Sequence, residues 1–140
     1  MTPRKSKTPY AASGPLPATM TTEEFRLDVS ERDWQATVYQ MCTVARCQVQ
    51  YHTHDSRRSD AGWPDLAIVT ADSRFLVAEL KRQKGKLRPE QVATLTALTQ
   101  AGVACYVWRP LDVDEIIRIL EGWKPTPVGG WPTLWRPTDG

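Results

Sequence analysis

The sequence predicts an α/β domain in which helices flank a mixed four-stranded sheet. Short runs of branched apolar residues and amphipathic stretches follow each other in the order helix, strand, strand, strand, helix, strand, helix. A tight turn joins the second and third strands and favours an antiparallel hairpin, whereas a helix precedes the last strand and favours a parallel pairing there. With 140 residues, of which 41% are hydrophobic, the chain can bury one core.

The first helix is predicted to begin after Ser30, which is a good N-cap with Asp33 three residues further on. The apolar residues that follow recur at helical spacing and predict one buried stripe: Trp34, Val38, Met41, Cys42 and Ala45. Glu31 and Gln35 lie at the edge of this stripe, so either side chain could point towards the strands. Residues 48–52 then alternate apolar and polar side chains, which predicts a short strand.

Residues 62–69 and 74–81 form the predicted hairpin, and both strands carry ionisable residues at the same end of the hairpin. Asp65 opens the first strand, while Glu79 and Lys81 end the second. Because side chains alternate between the faces of a strand, Glu79 and Lys81 share a face and lie roughly 7 Å apart. One carboxylate from each strand can therefore converge beside a lysine.

This combination is what metal-assisted hydrolysis of a phosphodiester requires. Hard oxygen ligands hold Mg²⁺ or Mn²⁺, and a lysine orients the attacking water or meets the developing negative charge. An isolated Glu-x-Lys is more simply a solvated surface pair. The Pro64-Asp65 dipeptide one strand earlier and its glycine-containing approach favour the catalytic interpretation.

A longer set of residues carries a resemblance to a known family: Gly62-x-Pro64-Asp65, Glu79-Leu80-Lys81, Gly85-Lys86-Leu87-x-Pro89-x-Gln91 and Gly102. In this order and spacing they resemble the VRR-NUC domains of the PD-(D/E)xK nuclease superfamily, over roughly residues 30–121. The resemblance implies a restriction-endonuclease-like αβββαβ core. Small stand-alone members of the family are of phage or bacterial type, so a cytoplasmic location in such a cell is expected.

The resemblance also implies a set of site residues. Asp65 and Glu79 would hold Mg²⁺ or Mn²⁺ together with a backbone carbonyl, for which Leu80 is preferred to Ala78. Gln91 would orient water or phosphate, although read alone it is a plain surface glutamine. The family places a glutamate of the first helix at the metal. Two positions compete for that role, and we assign it to Glu31, because Gln35 is a poorer ligand; an ordinary first-turn acid favoured by the helix dipole is the alternative for Glu31.

Cations cluster on both sides of the hairpin. The net charge of +2 is too small to prove a polyanionic partner, so the argument rests on where the cations lie. The candidates for contact with a nucleic-acid backbone are Arg57, Arg58, Arg82, Lys84, Lys86 and Arg88. Solvated loops are the alternative for both clusters.

The second helix is predicted to begin at Pro89 and to stop at Gly102, with a buried strand over residues 103–108 after it. Its predicted core face consists of Val92, Leu95 and Leu98. Asp112-x-x-Glu115 resembles a capping box that starts a last helix, which Gly122 ends. The apolar stripe of this helix is predicted to be Val113, Ile116, Ile117 and Leu120.

The segments outside the domain differ from it in composition. Residues 1–22 are predicted to be a disordered basic arm, residues 23–122 the nuclease domain, and residues 123–140 a Trp- and Pro-rich tail that packs on the domain or on a dimer partner. The three cysteines have no paired spacing and suit a reducing cytosol, with Cys42 and Cys105 in the core. No apolar run approaches the ~20 residues of a membrane span.

The predicted function is a metal-dependent DNA endonuclease that acts without sequence choice on structured or branched DNA, such as Holliday junctions, as a homodimer. A nucleic-acid-binding module that keeps the scaffold but does not cleave is the first alternative, since Gln35 leaves the helix position open. A zinc hydrolase built on His52, His54 and Asp55 is the second. The chain offers no third histidine for such a site.

Overall fold

The computed structural model describes residues 26–53 and 60–125 and confirms the predicted order of elements. These are α1 (Glu31–Val44), β1 (Val49–His52), β2 (Leu66–Val69), β3 (Phe75–Leu80), α2 (Pro89–Gln100), β4 (Ala104–Trp108), a 3₁₀ turn (Pro110–Asp112) and α3 (Val113–Leu120). None of the helices in these two ranges is long and apolar enough to cross a membrane. The predicted arm of residues 1–22 and most of the predicted tail lie outside the described residues.

The four strands form one mixed sheet in the order β1-β2-β3-β4. The β2–β3 pairing is antiparallel and the β3–β4 pairing is parallel, as predicted, and β1 also pairs antiparallel with β2. Leu66 of β2 is opposite Ala78 of β3, so the preceding Asp65 falls beside Glu79. The register of the hairpin thus brings the two carboxylates to one end of the sheet.

The sheet is covered on both faces. On one face α1 and α3 bury the larger core, in which Leu66, Leu76 and Leu80 are less than 3% exposed. On the other face α2 covers β3 and β4, and Leu95 packs on Val77 and Cys105. Val77 and Glu79 alternate with the residues of the larger core, so Glu79 lies on the α2 side of the sheet. α2 therefore forms one wall of the site.

Local sequence accounts for the ends of the helices. Ser30 accepts a hydrogen bond from the Asp33 backbone N–H at 3.1 Å, which confirms it as the N-cap of α1. Pro89 occupies the first turn of α2, where its missing N–H costs nothing. Gly102 follows α2 with a φ of +92°, a conformation that glycine adopts without steric cost.

The last helix differs from the prediction in two respects. α3 begins directly after Asp112, as predicted, but the Asp112 carboxylate accepts the Arg109 backbone N–H at 2.9 Å and makes no capping hydrogen bond to α3. The core residue missing from the predicted stripe is Ile119, which is fully buried, whereas Ile117 is only half-buried. α3 is just two turns long, and its short apolar pattern fits either residue.

Candidate active site

The candidate active site lies where β2 begins and β3 ends. Asp65 directly precedes β2, and its Oδ2 accepts the Leu80 backbone N–H at 2.9 Å. A cleft of about 490 Å³ opens at this point. It is lined by all five side chains that the sequence analysis placed at the centre of the site: Glu31, Asp65, Glu79, Lys81 and Gln91.

Glu79 is the most deeply buried of these side chains, with 2% of its surface exposed. Its Oε2 accepts a hydrogen bond from Gln91 Nε2 at 2.8 Å and lies 3.6 Å from Lys81 Nζ. Its Oε1 is buried and has no hydrogen-bond partner among the described residues. Buried polar atoms in folded proteins are almost always paired, and the Glu79 carboxyl can share a hydrogen bond with Asp65 when one of the two groups is protonated.

The two carboxyl groups influence each other's ionisation: Asp65 disfavours the charged form of Glu79, whereas a hydrogen bond from Glu79 favours the charged form of Asp65. Burial raises the pKa of Glu79 to about 8, and the negative charge of Asp65 adds to this while the Lys81 ammonium opposes it. Burial likewise raises the pKa of Asp65, although hydrogen bonds from the Leu80 N–H and from the Glu79 carboxyl lower it in part, and the charge of Glu31 raises it further. A divalent cation held by Asp65 and Glu79 would favour the charged form of both groups.

Gln91 is held in one orientation by two hydrogen bonds. Its Oε1 accepts the Arg88 backbone N–H at 2.8 Å, which leaves Nε2 to donate to Glu79. The side chain is 5% exposed, so both the oxygen and the nitrogen of its amide need these hydrogen-bond partners. Sequence alone makes Gln91 a surface residue, and only the docking of α2 against β3 buries it.

Both competing positions of α1 line the cleft. Glu31 is exposed and Gln35 is half-buried. Within residues 26–53 and 60–125, no group of three or more His, Cys, Asp or Glu side chains is arranged to hold a metal ion. The donor set of the described site is therefore the Asp65–Glu79 pair. Such a pair suits Mg²⁺, which keeps several waters and is often bound through one or two carboxylates.

The predicted cations divide into three groups. Lys86 and Arg88 line the cleft, whereas Arg82 and Lys84 are exposed and do not line it. Arg57 and Arg58 lie outside the described residues.

Four further residues line the cleft that the sequence analysis did not single out: Thr53, Asp60, Ala61 and Trp63. The signal that could have found Trp63 is its position between Gly62 and Pro64, directly before Asp65. Gly62 has a φ of +92°, and a Cβ there would lie 2.3 Å from the Glu90 carbonyl oxygen. Glycine is therefore required at this position for the turn to approach α2.

The histidines considered for a zinc site are only partly described. His52 stacks on Tyr39 with ring centroids 3.7 Å apart, and its Nε2 lies 3.3 Å from Gln50 Oε1. His54 and Asp55 lie outside the described residues.

The fold and the paired carboxylates at the ends of β2 and β3 define a nuclease-type α/β domain. The family model of the VRR-NUC domain matches residues 19–110, which is more than half of the chain. The chain belongs to the VRR-NUC domain family, and its resemblance to that family is confirmed. The domain is accordingly a nuclease, a hydrolase whose substrate is DNA. Neither the comparison with curated proteins nor that with solved structures found a match.

Proposed function

We propose that the chain is a divalent-metal-dependent endonuclease that hydrolyses phosphodiester bonds in branched DNA, such as Holliday junctions. The observation that supports this most directly is the convergence of the Asp65 and Glu79 carboxyl groups and Lys81 in one cleft, where no N–H group of the described residues donates to the buried Glu79 Oε1. A carboxylate oxygen left in this state is stabilised by a bound cation.

Asp65 and Glu79 would hold Mg²⁺ or Mn²⁺, with the Leu80 carbonyl as a further ligand and Glu31 as an acidic residue at the cleft mouth. The bound ion supplies Lewis-acid stabilisation of the phosphoryl oxygens. Hydrolysis forms one P–O bond to water and breaks another, so negative charge grows on the phosphoryl group during the reaction. The residues of the site must therefore stabilise this charge or position the attacking water.

Lys81 positions the attacking water and offsets the developing charge. Its side chain is 10% exposed and lies 3.6 Å from Glu79 Oε2, so its ammonium is fixed where water is largely excluded. Gln91 keeps the Glu79 carboxylate in one orientation through its hydrogen bond to Oε2. Lys86 and Arg88 bind the phosphate backbone at the edge of the cleft, which gives affinity without sequence preference.

A homodimer would bring two such sites to one DNA branch and allow both strands to be cut. Large apolar side chains are exposed on the α2 side of the sheet, on β1 and at the start of β3: Val49, Tyr51 and Phe75. Exposed apolar surface of this kind is typical of an interface between protein chains.

The test is cleavage of a labelled four-way junction, flap, duplex and single strand with Mg²⁺ or Mn²⁺, alongside Glu79→Ala. Cutting by the wild type alone supports the proposal and ranks the substrates. Bound but uncut DNA in every lane contradicts it.

The second candidate is a DNA-binding module that does not cleave. It is favoured by the absence of a third convergent acid among the described residues and by Gln35 at the second α1 position. Gln35→Glu distinguishes the two: cleavage that appears only in this variant supports the module, whereas cleavage by the wild type rejects it.

A further inference from the structure

Trp63 is a large apolar side chain that the turn before β2 leaves at the rim of the cleft. It is 43% exposed, although its chain neighbours Gly62 and Pro64 are buried. The same side chain lines the catalytic cleft and a second groove of about 460 Å³ beside α2. A tryptophan left in water forgoes much of the free energy of its burial, so its placement between two concave surfaces points to a ligand.

The turn that carries Trp63 is held from several sides. The Trp63 backbone N–H donates to the Asp60 carbonyl at 3.2 Å, and Thr53 Oγ1 donates to the Pro64 carbonyl at 3.0 Å. Gly62 packs so closely on the Glu90 carbonyl that no larger residue fits there. The backbone under the ring is therefore fixed before any ligand arrives, which reduces the entropy cost of binding on the ring.

The groove beside Trp63 has room for a planar group. Apart from Trp63, Asp60 and Leu98, it is lined by small side chains: Ala61, Ala93, Thr94 and Ala97. The cleft on the other side carries Lys86 and Arg88, which complement the charge of phosphates. A flat apolar face beside cations matches the chemistry of a nucleotide, with the base on the ring and the phosphate near the cations.

We propose that Trp63 forms a stacking subsite for an unpaired base of the DNA strand that lies in the cleft. The inference rests on the proposed nuclease function and adds to it a physical reason for preferring branched DNA. Bases in a duplex are already stacked, whereas an unpaired base at a branch can leave the helix and stack on an aromatic side chain. Because every base has a π-face, the subsite selects DNA structure and not sequence.

The test uses two labelled DNAs: a duplex, and the same duplex with a single-stranded flap. Their binding is measured by fluorescence anisotropy in the absence of divalent metal. Trp63→Ala is expected to weaken flap binding by about tenfold and to leave duplex binding nearly unchanged. Trp63→Phe keeps a ring and is expected to retain most of the flap affinity. Trp123→Ala is the matched control, since Trp123 is 41% exposed but lies over Arg118 and not at the cleft.

Three results would overturn the subsite: flap affinity unchanged in Trp63→Ala, equal losses on both DNAs, or a change in the solution mass of the variant, which would assign the ring to a contact between protein copies. Thermal melting of Trp63→Ala and Trp63→Phe checks that both fold.

Binding and cutting are separate readouts. A wild type that binds the flap through Trp63 but never cuts removes the nuclease proposal alone, and one that cuts with no dependence on Trp63 removes the subsite alone. A wild type that binds neither DNA overturns both.

Discussion

Glu79 and Asp65 place two carboxylates side by side in a site from which water is largely excluded. Among the described residues, the Lys81 ammonium and a few hydrogen-bond donors offset their charge. The fold therefore carries an electrostatic cost at this site that a cation can remove. Sites built for function commonly reduce stability in this way, and the cost can be measured in the protein without its metal.

Glu79→Gln is expected to stabilise the metal-free protein at pH 8. The pKa of Glu79 in the folded state, about 8, lies above its ordinary value of 4.5. The folded state therefore favours the protonated carboxyl. The contribution of this group to the free energy of unfolding is complete below pH 4.5 and is lost as the pH rises towards 8. Glutamine is neutral throughout, so the variant should be more stable than the wild type by about 1–2 kcal/mol at the upper end of this range and hardly more stable at the lower end.

Thermal melting across this pH range measures the difference, with Glu121→Gln as a control at an exposed glutamate. Adding Mg²⁺ at pH 8 should raise the melting temperature of the wild type but not that of Glu79→Gln, because the variant lacks the charged ligand. Identical pH profiles of the two proteins would contradict the electrostatic argument.

Lys81→Ala should lower the cleavage rate by about two to three orders of magnitude, the usual cost of losing one charge-stabilising donor. DNA binding and the Mg²⁺-dependent rise in melting temperature should remain, since the carboxylates are intact. Lys124→Ala is the control, because Lys124 is exposed and does not line the cleft. Single-turnover cleavage measures the rate, and undiminished turnover by Lys81→Ala would rule out its assigned role.

The sequence predicted part of the site residue by residue. Strand alternation was enough to place Asp65 and Glu79 on one face, because the hairpin register follows from its short turn. Gln91 was beyond that reasoning, since its burial depends on α2 docking against β3. The choice between Glu31 and Gln35 also stays open, because two positions about one helical turn apart both reach the cleft.

The loop after β3, residues 82–88, is held by the segment that follows β4. Arg109 Nη2 donates to the Gly85 carbonyl at 2.7 Å, and the Leu111 N–H donates to Gln83 Oε1 at 3.0 Å. These contacts fix the loop so that its cations are not equivalent. Lys86 lines the cleft and Lys84 does not.

Lys86→Glu should therefore weaken DNA binding more than Lys84→Glu, although the two substitutions change the net charge equally. The logarithm of the binding constant should also depend less steeply on the logarithm of salt concentration, by about one unit of slope for Lys86→Glu, as expected when one phosphate contact is lost. Binding titrations at several salt concentrations measure both quantities. Equal effects of the two substitutions would show that binding responds to the net charge of the loop and not to the position of its cations.

At the level of elements, the order and type of the helices and strands were predictable because each long stretch has one clear period. The exceptions are short. α3 buries Ile119 and only half-buries Ile117, and Asp112 serves the 3₁₀ turn before it. β1 was correctly predicted from its alternation, yet its apolar residues Val49 and Tyr51 are 51% and 62% exposed. Alternation predicts the faces of a strand but not which face another element will cover.

The α2 side of the sheet carries an exposed apolar surface that forms only when the strands are assembled. Val49, Val69 and Phe75 stand side by side across β1, β2 and β3, and Tyr51 and Ala67 form the next row. α2 packs over β3 and β4 and leaves much of this surface open among the described residues. A second copy of the chain would bury it and would also supply the second site that symmetric cleavage of a junction requires.

We therefore expect the wild type to be a dimer in solution and Tyr51→Glu to shift it towards the monomer, because a charge on this face is costly to bury. Val44→Glu is the matched control: Val44 is 59% exposed but ends α1, on the opposite side of the sheet. Sedimentation velocity over a concentration series gives the mass of each protein, and melting shows whether the variants remain folded. If Tyr51→Glu is a monomer that nicks a junction in one strand while the wild type cuts both strands, the paired cuts depend on the dimer. A monomeric wild type would remove the interface from this face and leave the chemistry of the cleft as it stands.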